Sequence, residues 1–338
     1  MSGTLLILGA GASRPYYLPT SGELRKLILG NDKDRAIFTE TLGCSWERAV
    51  SFLENRKKVN KGESKTMNWL SRELGIRNQP LSTYNLPRLV LEQVFNESGV
   101  GNGAEFRDAF FHSQRVSIDA FVQRRPEYLM AAQLAVATYL LLCERSELLD
   151  VDWYQQLLEA IMRDVDLFLS SPFRVISFNY DRSFEEYFRI ALSENFQSKP
   201  KLQRRIMDHL KPTHVYGSLG SLVGEGRIGY GDVDQFASAA SKLNFTRSTG
   251  PKKRLLNQQT LKRISKVVFL GIAFWSENLK LLEVNGPKNF QSYSTAYGLP
   301  RSVLNEVKSR FLGIVFGERD HTANTFISEH GIFNFTRS

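Results

Sequence analysis

Short apolar runs alternate along this chain with segments whose apolar residues recur every three or four positions. The runs are typical of buried strands, and the spaced positions are typical of amphipathic helices. Because helical segments separate the apolar runs, the pattern predicts a parallel, doubly wound α/β sheet with helices on both faces. The expected strands are residues 4–8, 173–178, 213–216, 266–272 and 312–316.

The pattern between residues 38 and 164 is mainly helical. It predicts a helical insertion domain at 38–164, placed within a Rossmann-like domain that comprises 1–37 and 165–338. Ser276 is the expected N-cap of a helix after the fourth strand. The helices expected in the insertion are Trp46–Leu53, Met67–Leu74, Leu86–Phe95, Ile118–Phe121, Tyr128–Leu142 and Trp153–Leu169.

The composition suits a large packed core, because 42% of the 338 residues are hydrophobic. The longest apolar stretch, Leu129–Cys143, is broken by Gln133 and Thr138, and we expect no membrane span. The first residues lack the basic and long apolar regions of a secretion signal. Cys44 and Cys143 have neither CxxC nor His spacing, which disfavours structural zinc and predicts a cytoplasmic protein without a metal.

The chain has a formal net charge of +9, with basic clusters at residues 56–58, 199–205 and 252–254. Such clusters favour either contact with a polyanion or an ordinary solvated surface. No basic stripe with interleaved aromatic residues supports the first interpretation. We therefore expect nucleic acid to be involved only indirectly.

The first expected strand ends in a turn of small residues, Gly9-Ala10-Gly11-Ala12-Ser13. Small residues let the backbone turn tightly and approach a ligand closely. A helix that starts just beyond would offer unpaired N–H groups to a phosphate. The turn lacks the third glycine of the GxGxxG fingerprint, so a purely structural turn, with Ser13 as a helix cap, is the alternative.

Polar residues also follow the other expected strands. Asn179 and Asp181 come after the second strand, His214, Tyr216, Gly217 and Ser218 lie at the third, and Gly271 and Asn278 follow the fourth. Parallel sheets bind ligands at the carboxyl ends of their strands. The alternatives are that Asn179 and Asp181 cap a helix and that His214 is a core histidine.

Four segments together resemble the sirtuin superfamily: GAGAS at 9–13, SFNYD at 177–181, HVYGS at 214–218 and FLGIAFWSEN at 269–278. The chain is still more similar to the bacterial sirtuin-like proteins of anti-phage defence. That similarity includes SIDAFVQRRPEY at 117–128 and the Trp-Tyr pair at 153–154. The resemblance covers residues 4 to about 300.

The resemblance implies an NAD⁺ glycohydrolase that splits NAD⁺ into nicotinamide and ADP-ribose and depletes the cell of NAD⁺. Asn179 would position the ribose and the attacking water, and His214 would act as the base. No metal is implied. The expected dinucleotide-binding residues are Gly9, Ala10, Gly11, Ala12, Ser13, Arg14, Pro19, Thr20, Asp119, Asp181, Tyr216, Gly217, Ser218, Gly271 and Asn278.

Two features depart from the sirtuin pattern. Sirtuin deacylases carry two CxxC pairs, which this chain lacks, so hydrolysis of NAD⁺ is favoured over deacylation of protein lysines. Tyr216 stands where sirtuins have histidine, and His214 lies two residues earlier. Residues two apart in a strand share a face, so either residue suits the pocket. A non-catalytic subunit that senses NAD⁺ or ADP-ribose is the alternative function.

The resemblance also implies partners. Proteins of this kind act as oligomers, and we expect a homo-oligomer. The chain has no GxxxxGK[ST] motif, so an ATPase of the HerA type would be a separate polypeptide. A nuclease of the Argonaute type or a sensor protein is an alternative partner.

Overall fold

The fold is built on a parallel sheet of six strands in the order β3-β2-β1-β4-β5-β6. The computed structural model describes residues 3–30, 46–60, 86–245, 255–282 and 290–335. This strand order is that of a Rossmann sheet, whose order reverses between β1 and β4. The strands are β1 Gly3–Leu8, β2 Phe173–Ser177, β3 Pro212–His214, β4 Ile264–Leu270, β5 Gln291–Ser294 and β6 Val315–Phe316.

Alternate residues of β1 pack on opposite faces of the sheet. Leu6 and Leu8 belong to one core cluster, and Leu5 and Ile7 belong to another. Because β1 lies between β2 and β4, both of its faces must be covered by other elements. The predicted α/β class, with helices on both faces of a Rossmann-like sheet, is therefore confirmed.

The helices of the described residues fall into two groups, those that flank the sheet and those that form a separate helical layer. They are α1 Ala10–Ser13, α2 Ser21–Leu29, α3 Trp46–Asn60, α4 Leu86–Glu97, α5 Gly103–His112, α6 Ile118–Val122, α7 Leu129–Cys143, α8 Trp153–Arg163, α9 Val165–Ser170, α10 Ser183–Asn195, α11 Pro200–Leu210, α12 Phe236–Ala240, α13 Gln258–Leu261, α14 Ser276–Leu281, α15 Arg301–Arg310 and α16 Ala323–Glu329.

Helix α7 is the centre of the helical layer, and its residues from Ala131 to Cys143 are almost all buried. By length and composition alone, the stretch Pro126–Cys143 is able to cross a membrane, but 72% of it is buried inside the protein. Burial of this kind is typical of a core helix. The same core includes α2 and residues 219–245, while Trp153 and Tyr154 pack with the sheet. The division at residues 38 and 164 stays a prediction.

Several expected boundaries differ from the structure. Strand β5 was not predicted, because Gln291–Ser294 is polar and only alternate residues are buried. The expected strand at 312–316 is only Val315–Phe316. Asp164 divides the expected helix Trp153–Leu169 in two, because it caps α9. Trp275, not Ser276, is the N-cap of α14. The expected helix Met67–Leu74 lies outside the described residues.

Candidate functional site

The loops that follow β1, β2, β3 and β4 meet at one edge of the sheet, because these four strands are parallel neighbours. The motifs predicted from sequence lie on these loops. A ligand site in such a sheet is expected where the strand order reverses, which here is between β1 and β4. The loop after β1 and the residue Gly271 after β4 face each other at this point.

Three glycines bring these two loops into direct contact. A Cβ on Gly11 would lie 2.9 Å from Gly271 Cα, and a Cβ on Gly9 would lie 2.8 Å from Ile272 Cα. Gly271 has φ +62°, and a Cβ there would overlap the backbone of Gly11 and Ala12. The glycines of this turn are therefore required for packing of the two loops, whatever else they bind.

The expected phosphate cradle is partly occupied by internal hydrogen bonds. The Gly9 amide donates to Leu270 O, the Gly11 amide to Gly271 O, and the Ala12 amide to Gly9 O, over 2.8–3.0 Å. Helix α1 has only four residues. A phosphate would have to displace these contacts, so the cradle stays a prediction.

A buried polar cluster connects the loops after β1 and β2. Asn179 Nδ2 donates to Ser13 Oγ over 3.0 Å, and Ser13 Oγ donates to Asp181 Oδ1 over 3.2 Å. The Ser183 amide and hydroxyl also donate to Asp181 Oδ1. Tyr154 shares a 2.8 Å hydrogen bond with Ser183 Oγ. The structure thus brings Ser13, Asn179 and Asp181 together in one buried cluster.

The carboxylate of Asp181 is the common acceptor of this cluster. Burial raises the pKa of Asp181, while the hydrogen bonds from Ser183 and Ser13 oppose that shift. The neighbouring cation Arg182 pairs with Glu144 instead. An ionised Asp181 would therefore favour a ligand or transition state that carries positive charge nearby.

Asn179 is held so that one of its side-chain atoms has no partner among the residues that the structure describes. Its Nδ2 is committed to Ser13, and its backbone N–H donates to Ser177 Oγ over 3.1 Å. Its Oδ1 is buried and has no hydrogen-bond partner among the described residues. A buried amide oxygen without a partner is costly, so this atom is suited to accept from a ligand hydroxyl or water.

A small pocket opens at this cluster. Its interior has room for about one water molecule, so it would have to widen to admit a sugar ring or a dinucleotide. The pocket is lined by Leu8, Ser13, Tyr154, Ser177, Asn179, Asp181, Phe184, Glu185 and Pro212.

His214 lies beside Asn179 but does not line this pocket. Its Nδ1 is 2.8 Å from the main-chain oxygen of Asn179, and its Nε2 is 2.8 Å from Glu185 Oε1. Burial disfavours the charged imidazole, but Glu185, the Asn179 carbonyl and Asp181 favour it more strongly. The pKa of His214 is therefore raised.

Tyr216, Asn278 and Asp119 form contacts away from this cluster. Tyr216 donates to Asn278 Oδ1 over 2.8 Å. Tyr180, between Asn179 and Asp181 in sequence, donates to the Asp119 carboxylate, which also accepts from Ser117. Burial raises the pKa of Asp119 to about 7. Asp119 thus links α6 of the helical layer to the loop after β2.

The remaining predicted residues have contacts of their own. Arg14 pairs with Glu23 at 3.0 Å, and Thr20 caps α2 through a capping box with the same Glu23. Pro19 is buried just before this cap. Gly217 has φ +76°, and Ser218 Oγ accepts from the Gly220 amide over 3.4 Å. These residues shape the loops around the site and make no described hydrogen bond to Asn179 or Asp181.

Three residues of the site were not predicted as site residues. Tyr154 was noted only as part of a Trp-Tyr pair, although its ring stacks on Tyr16 at 4.0 Å and its hydroxyl reaches Ser183. Ser183 follows Asp181 by two residues, a spacing at which a carboxylate readily accepts from the local backbone. Glu185, the partner of His214, lies two residues after Ser183, in the first turn of α10.

A buried ion pair lies next to the site. Arg182 is 1% exposed and contacts both carboxylate oxygens of Glu144, whose side chain is fully buried. Arg182 also donates to the main-chain oxygens of Ile228 and Gly229. This pair joins α7, the start of α10 and the glycine-rich loop 220–231.

One group of the described residues has the ligand types for a metal. Side-chain atoms of Glu318, Asp320 and His321 lie within 4.8 Å of one another, on the segment after β6. Both acids are exposed, and His321 also pairs with Glu329 at 2.9 Å. This group is separate from the residues of the polar cluster.

Comparison of the chain with protein-family models finds no family that matches, and comparison with curated proteins finds no similar protein. The fold and the cluster at its strand ends therefore define the class. The chain is an α/β protein with a Rossmann-type parallel sheet and an additional helical layer.

Proposed function

We propose that this protein hydrolyses the N-glycosidic bond of NAD⁺, releasing nicotinamide and ADP-ribose. The observation that carries the proposal is the buried Oδ1 of Asn179, which has no hydrogen-bond partner in the described part of the chain and lies in a pocket at the carboxyl ends of β1 and β2. An acceptor in that place suits a ribose hydroxyl or the attacking water. The resemblance of GAGAS, SFNYD, HVYGS and FLGIAFWSEN to the sirtuin motifs supports the same substrate.

The chemistry requires little from the protein beyond positioning and charge. The bond between ribose C1′ and the nicotinamide nitrogen breaks, and its electron pair leaves with nicotinamide. The ribose carbon then resembles an oxocarbenium ion; water attacks it and releases a proton to solvent. Asn179 Oδ1 would hold the hydroxyl or water, and the buried carboxylate of Asp181 would stabilise the positive charge.

A dinucleotide is far larger than this pocket, which has room for about one water molecule. Binding would therefore need the segment between Ser13 and α2 to open. Arg14 and Thr20 in this segment both bond to Glu23. Because Glu23 is partly exposed, solvent can replace these contacts when the segment opens. The adenosine half would lie over the turn of Gly9–Ser13 and beside Gly271.

The biological role that we propose is depletion of NAD⁺ in a cytoplasmic anti-phage defence system. This role rests on the resemblance to bacterial sirtuin-like defence proteins. The protein would act as a homo-oligomer, with a separately encoded ATPase, nuclease or sensor as its partner. Restraint by such a partner would be needed because loss of NAD⁺ kills the host cell.

A second candidate function is sensing of NAD⁺ or ADP-ribose without cleavage. It is favoured by His214, whose two ring nitrogens both have protein partners, and by Tyr216, whose hydroxyl contacts Asn278. Neither residue presents an uncommitted base to the pocket. Deacylation of protein lysines is a third candidate function, and none of the contacts described above supports it.

Product analysis separates these functions. Purified protein, alone and with the product of the neighbouring gene, is incubated with NAD⁺, and the products are separated by chromatography. The proposal predicts equal amounts of nicotinamide and ADP-ribose. Calorimetric binding of NAD⁺ with no nicotinamide release would contradict hydrolysis and support the sensor.

A further inference from the structure

The two nitrogens of His214 both face atoms that only accept hydrogen bonds. Nδ1 is 2.8 Å from the main-chain oxygen of Asn179, and Nε2 is 2.8 Å from a carboxylate oxygen of Glu185. A neutral imidazole carries one N–H, so it would leave one nitrogen lone pair against an oxygen lone pair. With Glu185 ionised, only the imidazolium, which has two N–H groups, satisfies both contacts.

The groups around His214 agree with a cation. Glu185 faces it from α10, and Asp181 and the Asn179 carbonyl face it from the loop after β2. All three favour a positive charge and together outweigh the cost of burial. Glu185 itself lines the pocket, next to Asn179 and Asp181.

We propose that His214 is a protonated positioning residue, which Glu185 keeps charged and which holds Asn179 by its main-chain carbonyl. This inference rests on the proposed hydrolysis of NAD⁺ and replaces the base that the sirtuin resemblance implies at His214. An imidazolium has no lone pair with which to accept a proton, so it cannot serve as a general base. Its role is to fix the direction of the Asn179 side chain.

Two substitutions of His214 distinguish a donor from a base. His214→Asn places an amide N–H where Nδ1 donates but cannot accept a proton at neutral pH. The proposal predicts that His214→Asn keeps kcat within about tenfold of the unaltered protein, while His214→Ala loses about 100-fold. Equal losses in both variants, of the ~10²–10⁴-fold expected for removal of a general base, would overturn it.

The pH dependence provides a second test. A base works once it has lost its proton, so the rate would rise with pH through its pKa. The positioning role predicts no such rise, because His214 donates to Asn179 from Nδ1 as an imidazolium and can still do so as a neutral ring. If His214 were a base, the rise would move to lower pH in Glu185→Gln and stay in place in Glu194→Gln, an exposed residue on the same helix; a rise that moves in this way would overturn the proposal.

Nuclear magnetic resonance tests the charge without any assay of activity. In protein labelled with ¹⁵N-histidine, both ring nitrogens of His214 should carry protons at neutral pH and titrate above the ordinary value of about 6.5. A neutral His214 at pH 7 would overturn the inference even if NAD⁺ is cleaved. If NAD⁺ is not cleaved but His214 is charged, the proposed function fails and the ion pair stands.

Discussion

The side-chain amide of Asn179 donates to Ser13 Oγ over 3.0 Å, which joins two loops that are 166 residues apart in sequence. The bond fixes which end of the amide faces the pocket. Because Nδ2 is committed to Ser13, Oδ1 is the atom left for a ligand. Ser13 therefore causes Asn179 to present a hydrogen-bond acceptor, rather than a donor, to the pocket.

Replacing Ser13 with alanine should release this orientation. Asn179 Nδ2 would lose its acceptor and Asp181 one of its donors, so the amide would be free to turn. We expect nicotinamide release to fall about tenfold or more, and the free energy of unfolding to fall by ~1–3 kcal/mol. Ser193→Ala, at an exposed position of α10, is the matched control. A normal rate in Ser13→Ala would show that orientation of Asn179 does not depend on Ser13.

Gly271 and Gly298 form a matched pair for the contact between the loops after β1 and β4. Their φ values are +62° and +64°, but a Cβ on Gly271 would overlap Ala12, while a Cβ on Gly298 meets nothing within 4 Å. Gly298→Ala should therefore cost only the backbone strain of ~1–2 kcal/mol. Gly271→Ala should cost clearly more in urea unfolding and displace the turn at Gly9–Ser13. Equal costs would contradict close packing at Gly271.

The centre of the sheet was predictable because β1 and β4 are largely apolar on both faces. Residues 4–8 and 266–272 produce continuous apolar runs for this reason. Strand β5 was missed because Gln291 is exposed at its start and serines occupy its buried positions, so it has no apolar run. Helix α2 and residues 219–245 pack into the same core as the helical layer. This packing joins segments that are distant in sequence, so the local pattern of apolar residues does not predict it.

The sequence predicted which residues follow the ends of neighbouring strands, but it did not predict the hydrogen bonds between their side chains. Ser13, Asn179 and Asp181 follow neighbouring strands, so their proximity follows from parallel topology. The direction of each side chain does not, and His214 and Tyr216 illustrate this. They were expected to share a face, yet His214 contacts Glu185 and Tyr216 contacts Asn278. Strand β3 ends at His214, so strand alternation no longer applies at Tyr216.

The buried pair of Arg182 and Glu144 should be costly to break and cheap to replace as a whole. Glu144→Gln leaves the guanidinium buried without its counter-charge, which should lower the free energy of unfolding by ~3–5 kcal/mol. The double variant Glu144→Leu with Arg182→Met should recover much of that loss. Glu147→Gln, which breaks a more exposed pair with Arg145, should cost at most ~1 kcal/mol. Urea unfolding measures all three, and equal losses in the two single variants would contradict the assignment.

Asp119 should make stability depend on pH. Its pKa is raised to about 7 in the folded protein, against ~3.9 in an unfolded chain. Between these values the folded state holds a proton that the unfolded state has released, so the free energy of unfolding falls as pH rises from about 4 to about 7. Asp119→Asn should weaken this fall, and Asp108→Asn, at an exposed position, should not. An unchanged pH dependence in Asp119→Asn would show that Asp119 is ionised when folded.

The central claim is that Asn179 directs cleavage of NAD⁺ at this site. The most direct test is the rate of nicotinamide release by Asn179→Ala in the active complex, beside Asn195→Ala, whose exposed side chain donates to Ala191 O of its own helix. We predict a loss of about 100-fold or more for Asn179→Ala and an unchanged rate for Asn195→Ala. Nicotinamide release by Asn179→Ala at the rate of the unaltered protein would contradict the account.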